Sequence, residues 1–322
     1  MDKFLIKTNK DLPIYKRKLF WIASFFIILF VIIIIIVIID TSKNDEIIVN
    51  NNSLKFIPYI CLDEKKLPSK KCIGGWFYKT TLYTPEYNAK FAKSKNWNYV
   101  LLSANIKEKK IIEIINAFRK QNISVHFMTL QDIKYLDDPE SAYNKIKEIL
   151  IFVNNNNLDI QGIHIDVEPH SKIEWKNGGN EIRTLIFQNY TKVLENCRKA
   201  INEYRSNITF SAAVAWFYSS KTKKNEIIGG RGYDLVNENR LDYIFPMVYS
   251  GAGGTLKDIL KHTEDYITDN ANLVIGISVK EHNETLNEIT NQIIEKRKNS
   301  TYFYGISIFS NNYYNDWGNE IN

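Results

Sequence analysis

The 322-residue chain contains only three cysteines. That is too few for a disulfide-dense scaffold, and no cysteine or histidine spacing matches a metal-ligand set. No glycine-rich phosphate loop follows the first strand-like run, which argues against a dinucleotide-binding sheet. A broad basic face is missing too. Of the net charge of +6, residues 1–18 carry +4, from six Lys/Arg against two acids, so only about +2 remains for everything after them. A nucleic-acid partner is therefore not expected. Cofactors and metals are not expected either. Of the cysteines, Cys61 and Cys72 stand eleven apart and could close a disulfide in an oxidising compartment. Cys197 falls in a helical pattern and is expected to pack as a small apolar residue.

What is present begins with one long apolar run. Residues 19–39 (LFWIASFFIILFVIIIIIVII) pass without a charge. At 1.5 Å per residue such a helix spans about 30 Å, the thickness of a bilayer core. Lys16, Arg17 and Lys18 flank its start, while Asp40, Asp45 and Glu46 follow its end. The positive-inside rule then predicts a cytoplasmic tail over 1–18, an anchor over 19–39 and a stalk or lead-in over 40–70. The large domain, 71–322, is expected outside the cell or in a lumen, as in a type II membrane protein. Six Asn-x-Ser/Thr sequons (Asn51, Asn122, Asn189, Asn207, Asn283, Asn299) suit a glycoprotein of the secretory pathway. An asparagine-rich chain produces some by chance.

Within the domain, short β-rich runs alternate with amphipathic stretches. The candidate strands are 73–78, 98–103, 123–130, 161–168, 208–215, 242–249, 272–279 and 303–309. Helical periodicity marks 107–122, 141–154, 184–205, 256–269 and 284–299. Parallel neighbours need crossover connections, so eight strands separated by helices predict a closed α/β barrel of the (β/α)8 TIM type.

The segment 161–168, QGIHIDVE, is the most informative. Alternation along a strand turns Ile163, Ile165 and Val167 toward the surrounding helices, and His164, Asp166 and Glu168 toward the barrel axis. Gly162 leaves room for a close neighbour inside. Acids facing a packed lumen are costly unless paired or functional. Barrel enzymes place catalytic groups at the C-terminal ends of strands, where Glu168 stands just before Pro169. A neighbouring carboxylate disfavours ionisation, so one of the Asp166–Glu168 pair can keep a proton and serve as a general acid. His164, one layer deeper, could hydrogen-bond Asp166, although a purely structural role in the lumen suits it as well.

This stretch resembles the strand-four signature of glycoside hydrolase family 18, which includes chitinases and endo-N-acetylglucosaminidases. That signature reads Asp-Gly-x-Asp-x-Asp-x-Glu. The resemblance implies that Glu168 is the general acid and that Asp166 orients the substrate's N-acetyl group, the internal nucleophile of that family. Met247-Val248-Tyr249 is similar to the family's strand-six Met-x-Tyr, which implies that Tyr249 contacts the acetamido group. The run GISIF on strand eight is also family-like. The departures are His164 in place of the middle Asp, Gln161 before the Gly, no Ser-x-Gly-Gly on strand three, and Ile308 and Phe309 where a strand-eight Trp is usual.

A rival layout pairs Glu168 as acid with Glu281, after the seventh strand, as nucleophile of a retaining glycosidase. In that plan Asn usually precedes the acid, where this chain has Val167. A solvated loop is the plainer reading of Glu281. Aromatic residues cluster near strand ends, as a sugar cleft requires: Trp76 and Tyr78, Trp175, Trp216 with Phe217 and Tyr218, Tyr249, and Tyr313, Tyr314 and Trp317. Trp76 and Trp216 are the strongest candidates for sugar platforms, and Met247 lines the same region. Gly251–Gly254 would admit a close ligand approach. The expected partner is a glycan, and the expected activity is hydrolysis of a glycosidic bond. A non-catalytic carbohydrate-binding barrel is the other reading.

Overall fold

The structure is a computed structural model that describes residues 59–62, 65, 71–108 and 110–318. The segment 19–39 and the proposed tail lie outside these residues. Among the described residues no helix is long and apolar enough to cross a membrane.

Eight parallel strands close into one barrel in sequence order: β1 Cys72–Phe77, β2 Tyr99–Ser103, β3 Ser124–Thr129, β4 Gly162–Ile165, β5 Thr209–Ala215, β6 Tyr243–Met247, β7 Leu273–Ser278 and β8 Phe303–Phe309. The ring closes through β1 and β8, with Gly74 opposite Ser307. All eight predicted runs are strands, and all five predicted helices form. Their ends are set by local chemistry. Asp138 caps Pro139–Asn155 by accepting from the Ser141 N–H, and Thr255 caps Leu256–Thr268 through the Asp258 N–H.

A further helix, Pro85–Ser94, bridges β1 and β2, capped by Thr84 with Pro85 at its start. Its apolar stripe is interrupted by a buried polar residue, Asn88, whose side-chain amide donates to the Thr80 carbonyl. That interruption hides the helix from a periodicity search. Between β5 and β6 the crossover is two short helices, Tyr218–Lys223 and Gly232–Leu235.

Two layers of core follow from strand alternation. Ile163, Ile165 and Val167 pack between sheet and helices with Phe187, Leu194 and Phe210. The lumen holds Trp76, Tyr99, Leu101, Met128, Phe245 and Met247. His164 belongs to the lumen, edge-on to Phe245 at 4.8 Å and to Trp76 at 6.1 Å. Gly162 is required there, because a Cβ would lie 2.2 Å from the His126 ring.

The lead-in chain closes the lower end. Ile60 and Cys61 join the lumen cluster, and a disulfide links Cys61 to Cys72 at the start of β1. The Ile60 carbonyl lies 2.7 Å from His126 Nε2, and the Tyr59 carbonyl accepts from the Thr209 hydroxyl. Cys197 is buried as a free thiol in the helix Asn180–Arg205.

Candidate active site

The site is built where β4 ends. The ladder stops at Ile165, paired with Ala212, rather than running to 168 as the sequence suggests. Asp166–Glu168 lies beyond the paired ladder, and Pro169, which has no N–H to donate, opens a single turn, Pro169–Ser171. Glu168 therefore sits at the head of that turn. Its carbonyl accepts from the Ser171 N–H at 3.0 Å and hydroxyl at 2.7 Å.

Asp166 and Glu168 occupy one electrostatic neighbourhood. Burial, with Glu168 as a second contribution, pushes the Asp166 carboxyl up to about 7. Burial alone raises Glu168 above the usual carboxylate range. Asp166 Oδ1 is buried and has no hydrogen-bond partner. His164 does not supply one: its Nδ1 lies 2.9 Å from Ser211 Oγ, and its Nε2 also lacks a partner. In place of the expected His164–Asp166 bond, His164 meets its register partner on the neighbouring strand β5. Burial holds His164 well below its ordinary pKa, so the ring is neutral.

Tyr78 and Tyr249 face the same charges. Both phenols are raised by burial first, and Asp166, Glu168 and Tyr313 add to the rise. Tyr78 follows β1 and is clamped to the β8 end by a reciprocal pair, its N–H to Asn311 Oδ1 at 2.7 Å and Asn311 Nδ2 to its carbonyl at 3.0 Å. Phe309 joins them. It stacks on Tyr249 at 5.0 Å and 12° and meets Tyr78 edge-on at 6.1 Å. It stands at the β8 end, where the sequence shows no Trp, so the aromatic wall is present with a different residue. Tyr313 adds an edge at 5.7 Å from Phe309.

Other candidates lie elsewhere. Trp76 has no exposed surface; it packs beneath Tyr249 and Phe309, at 6.2 and 5.8 Å, as a support rather than a platform. Met247 lies in the lumen below Tyr249. Trp216 keeps partial exposure but packs closely on His262, at 3.8 Å and tilted by 48°. Trp175 packs against Phe187 and Tyr218. Tyr314 and Trp317 cover the β1–β2 side, against Phe91 and Phe77.

Glu281 is not a solvated loop residue, and its Oε2 is buried without a hydrogen-bond partner. It lies on the short helix Val279–His282, and its Oε1 accepts the Gly251 N–H at 2.7 Å. Gly251 has φ +89°, and a Cβ on Gly253 would come within 3.3 Å of Oε2. The glycines after Tyr249 thus admit a carboxylate of the protein itself. His170 carries no periodic signal in the sequence. The turn after Pro169 brings it back beside Glu168, 3.9 Å from Nε2 to Oε2. Its only sequence signal is its place two residues beyond an acid, across a proline.

Among the described residues no group of three or more His, Cys, Asp or Glu side chains could hold a metal ion. The polar groove of about 580 Å³ bordered by Asn96, Asn287 and Tyr314 collects amides and one ion pair, Lys95–Asp316, rather than paired acids.

No protein-family model matches the chain. No curated protein sequence matches it either. Solved structures do. One is a GH18 chitinase from Pseudoalteromonas aurantia (14% identity, 74% of this chain and 93% of that one, TM-score 0.51). Another is the exo-β-1,4-mannosidase Op5Man5 from Opitutaceae bacterium strain TAV5 (9% identity, 79% and 54%, TM-score 0.54). A third is a fungal β-1,4-galactanase (11% identity, 74% and 88%, TM-score 0.52). At these identities the likeness is one of fold: this chain has the (β/α)8 barrel that these glycoside hydrolases share.

Proposed function

We infer that the chain is a glycoside hydrolase acting on a glycan that contains N-acetylhexosamine. The observation that carries this reading is the grouping of Asp166 and Glu168, both with raised pKa, beneath Tyr78, Tyr249 and Phe309 at the C-terminal end of the strands. Glu168, proton-bearing further toward neutral pH than an ordinary carboxyl, gives its proton to the glycosidic oxygen as the bond to the anomeric carbon breaks. The substrate's acetamido oxygen closes on that carbon. Asp166, with Oδ1 unpartnered, takes the acetamido N–H and holds the group in line. Water then opens the cyclic intermediate, with the Glu168 carboxylate taking the water's proton. Tyr249 hydrogen-bonds the acetamido group, and the Phe309 ring packs on the sugar's C–H face.

The rival retaining pair would use Glu281, whose Oε1 accepts the Gly251 N–H and whose Oε2 is buried without a partner. For location, the Cys61–Cys72 disulfide and the basic residues before 19–39 favour a domain on the oxidising side of a membrane, anchored through that segment.

The test is a panel of fluorogenic glycosides assayed with the full chain and with Glu168→Gln. Turnover confined to acetamido sugars, and reduced about 10³-fold in the variant, is expected. Equal background rates for both proteins on every substrate would leave a carbohydrate-binding barrel as the function.

A further inference from the structure

The side chain beside Glu168 with no part in the chemistry above is His170. It is held from three directions. The Pro169–Ser171 turn fixes its backbone. The Phe217 ring meets it edge-on at 5.4 Å. Its Nδ1 lies 2.7 Å from the Tyr218 hydroxyl. Tyr218 is fully buried between Trp175, Phe187 and His170, and burial raises its phenol far above the ordinary value, so the hydroxyl keeps its proton. A phenol that keeps its proton can donate its O–H to Nδ1 across that 2.7 Å contact. The ring proton of the neutral imidazole then sits on Nε2, and Nε2 faces Glu168 Oε2 at 3.9 Å. That separation is beyond a hydrogen bond at rest and within reach of a small torsion of either side chain; contacts of this kind shorten when an active site is occupied.

We propose that His170 is a positioning residue for Glu168, presenting an N–H donor, oriented by Tyr218, to the carboxylate that forms when Glu168 releases its proton. The inference rests on Glu168 being the acid but adds a group that favours its anionic form. Burial alone would make Glu168 a reluctant donor. A donor aimed at the ionised carboxyl offsets that cost at the moment charge develops. The ring does this while neutral, since burial, with Lys176 as a second contribution, lowers His170 to about 4. The other titratable groups around the pair are Asp166, Tyr78 and Tyr249 across the mouth, and Lys134, Glu174 and the Lys172–Asp137 ion pair on the elements packed against the turn.

The test follows the Glu168 carboxyl directly, by ¹³C NMR titration of the glutamate-labelled full chain, with Glu168→Gln identifying the resonance. His170→Phe removes the donor and should raise the Glu168 midpoint by roughly one pH unit, because a hydrogen bond to the charged form lowers an acid's pKa. His170→Gln restores an N–H near the Nε2 position and should return the midpoint most of the way. Tyr218→Phe frees the tautomer and should give an intermediate rise. The alkaline limb of kcat/KM on an acetamido glycoside should move with the midpoint. If His170→Phe and His170→Gln shift the midpoint equally, or not at all, the proposal is overturned. Should His170→Phe not fold, His170→Gln against Tyr218→Phe decides it, with equal midpoints overturning the claim. A shifted midpoint without turnover on any glycoside keeps the positioning role and sinks the hydrolase reading instead.

Discussion

The two ends of the barrel hold different kinds of buried polar group. At the lower end they are neutral and several are tied down: the Ile60 carbonyl meets His126, the Tyr59 carbonyl accepts from Thr209, and the Tyr99 hydroxyl donates to the Ile306 carbonyl at 2.9 Å, while His126 Nδ1 and Ser124 Oγ have no partner. The Cys61–Cys72 link fixes the chain that closes this end. At the mouth, Asp166 Oδ1 has no partner, and burial raises both carboxyls above their ordinary range. One end is built for stability, and the other gives stability up to keep protons and acceptors available. The difference is one of residue type, because unpartnered buried atoms occur at both ends and the buried carboxyls stand at the mouth. Glu281, also at the mouth, has one oxygen committed to a backbone N–H and orders the loop after Tyr249.

That contrast can be broken at three points. The largest effect is expected at the closed end. Replacing Cys61 and Cys72 together by serine opens an eleven-residue separation, and the chain-entropy cost for such a loop is about 2–3 kcal/mol. Thermal melts should show a clear drop in Tm, while the pH dependence of Glu168 stays where it was. A change in that dependence would show that the two ends are coupled.

At the mouth, Asp166→Asn should raise stability while abolishing the proposed acetamido orientation. The sign follows from proton uptake. The folded carboxyl holds its proton up to about 7, whereas the unfolded one releases it near its ordinary 3.8. The folded state therefore binds more protons between those values, and parent stability falls as pH rises through that window. The full three-unit shift corresponds to about 4 kcal/mol; because Asp166 retains some accessible surface, roughly 2 kcal/mol is the expected gain for the variant at pH 8. At pH 3 the two proteins should melt alike. Denaturant titrations at several pH values check this, and a constant difference across pH would show that the Asp166 carboxyl is not raised by folding.

The smallest effect is expected at Glu281→Gln. The amide oxygen can still accept the Gly251 N–H, so stability should change by about 1 kcal/mol or less, the difference between a charged and a neutral acceptor. The contrast sharpens with Glu281→Ala, in which the loop loses its acceptor; kcat should fall as Tyr249 loosens, yet no covalent glycosyl-enzyme should be trapped in the parent by mass spectrometry. A trapped adduct on Glu281 would reverse its assignment.

Much of this was legible in the chain. The eight apolar runs and the alternation of Ile163, His164 and Ile165 follow from a period of two, which is a local property. The Met247–Tyr249 run was legible through its resemblance to a family motif. The limits were local as well. A buried asparagine hid the helix Pro85–Ser94, and the early end of β4 reflects where its pairing with β5 stops.

Sequence by itself determined the barrel and the alternation of Ile163, His164 and Ile165, because side-chain direction along a strand needs no distant partner, whereas Asp166 and Glu168 lie beyond the ladder. Tertiary structure alone decided which groups meet them. Phe309 reaches Tyr78 through the β1–β8 closure, His170 reaches Tyr218 across the β4–β5 ends, and Glu281 reaches Gly251 from β7 to the β6 loop. Those meetings depend on register between strands far apart in the chain, and no local pattern encodes them.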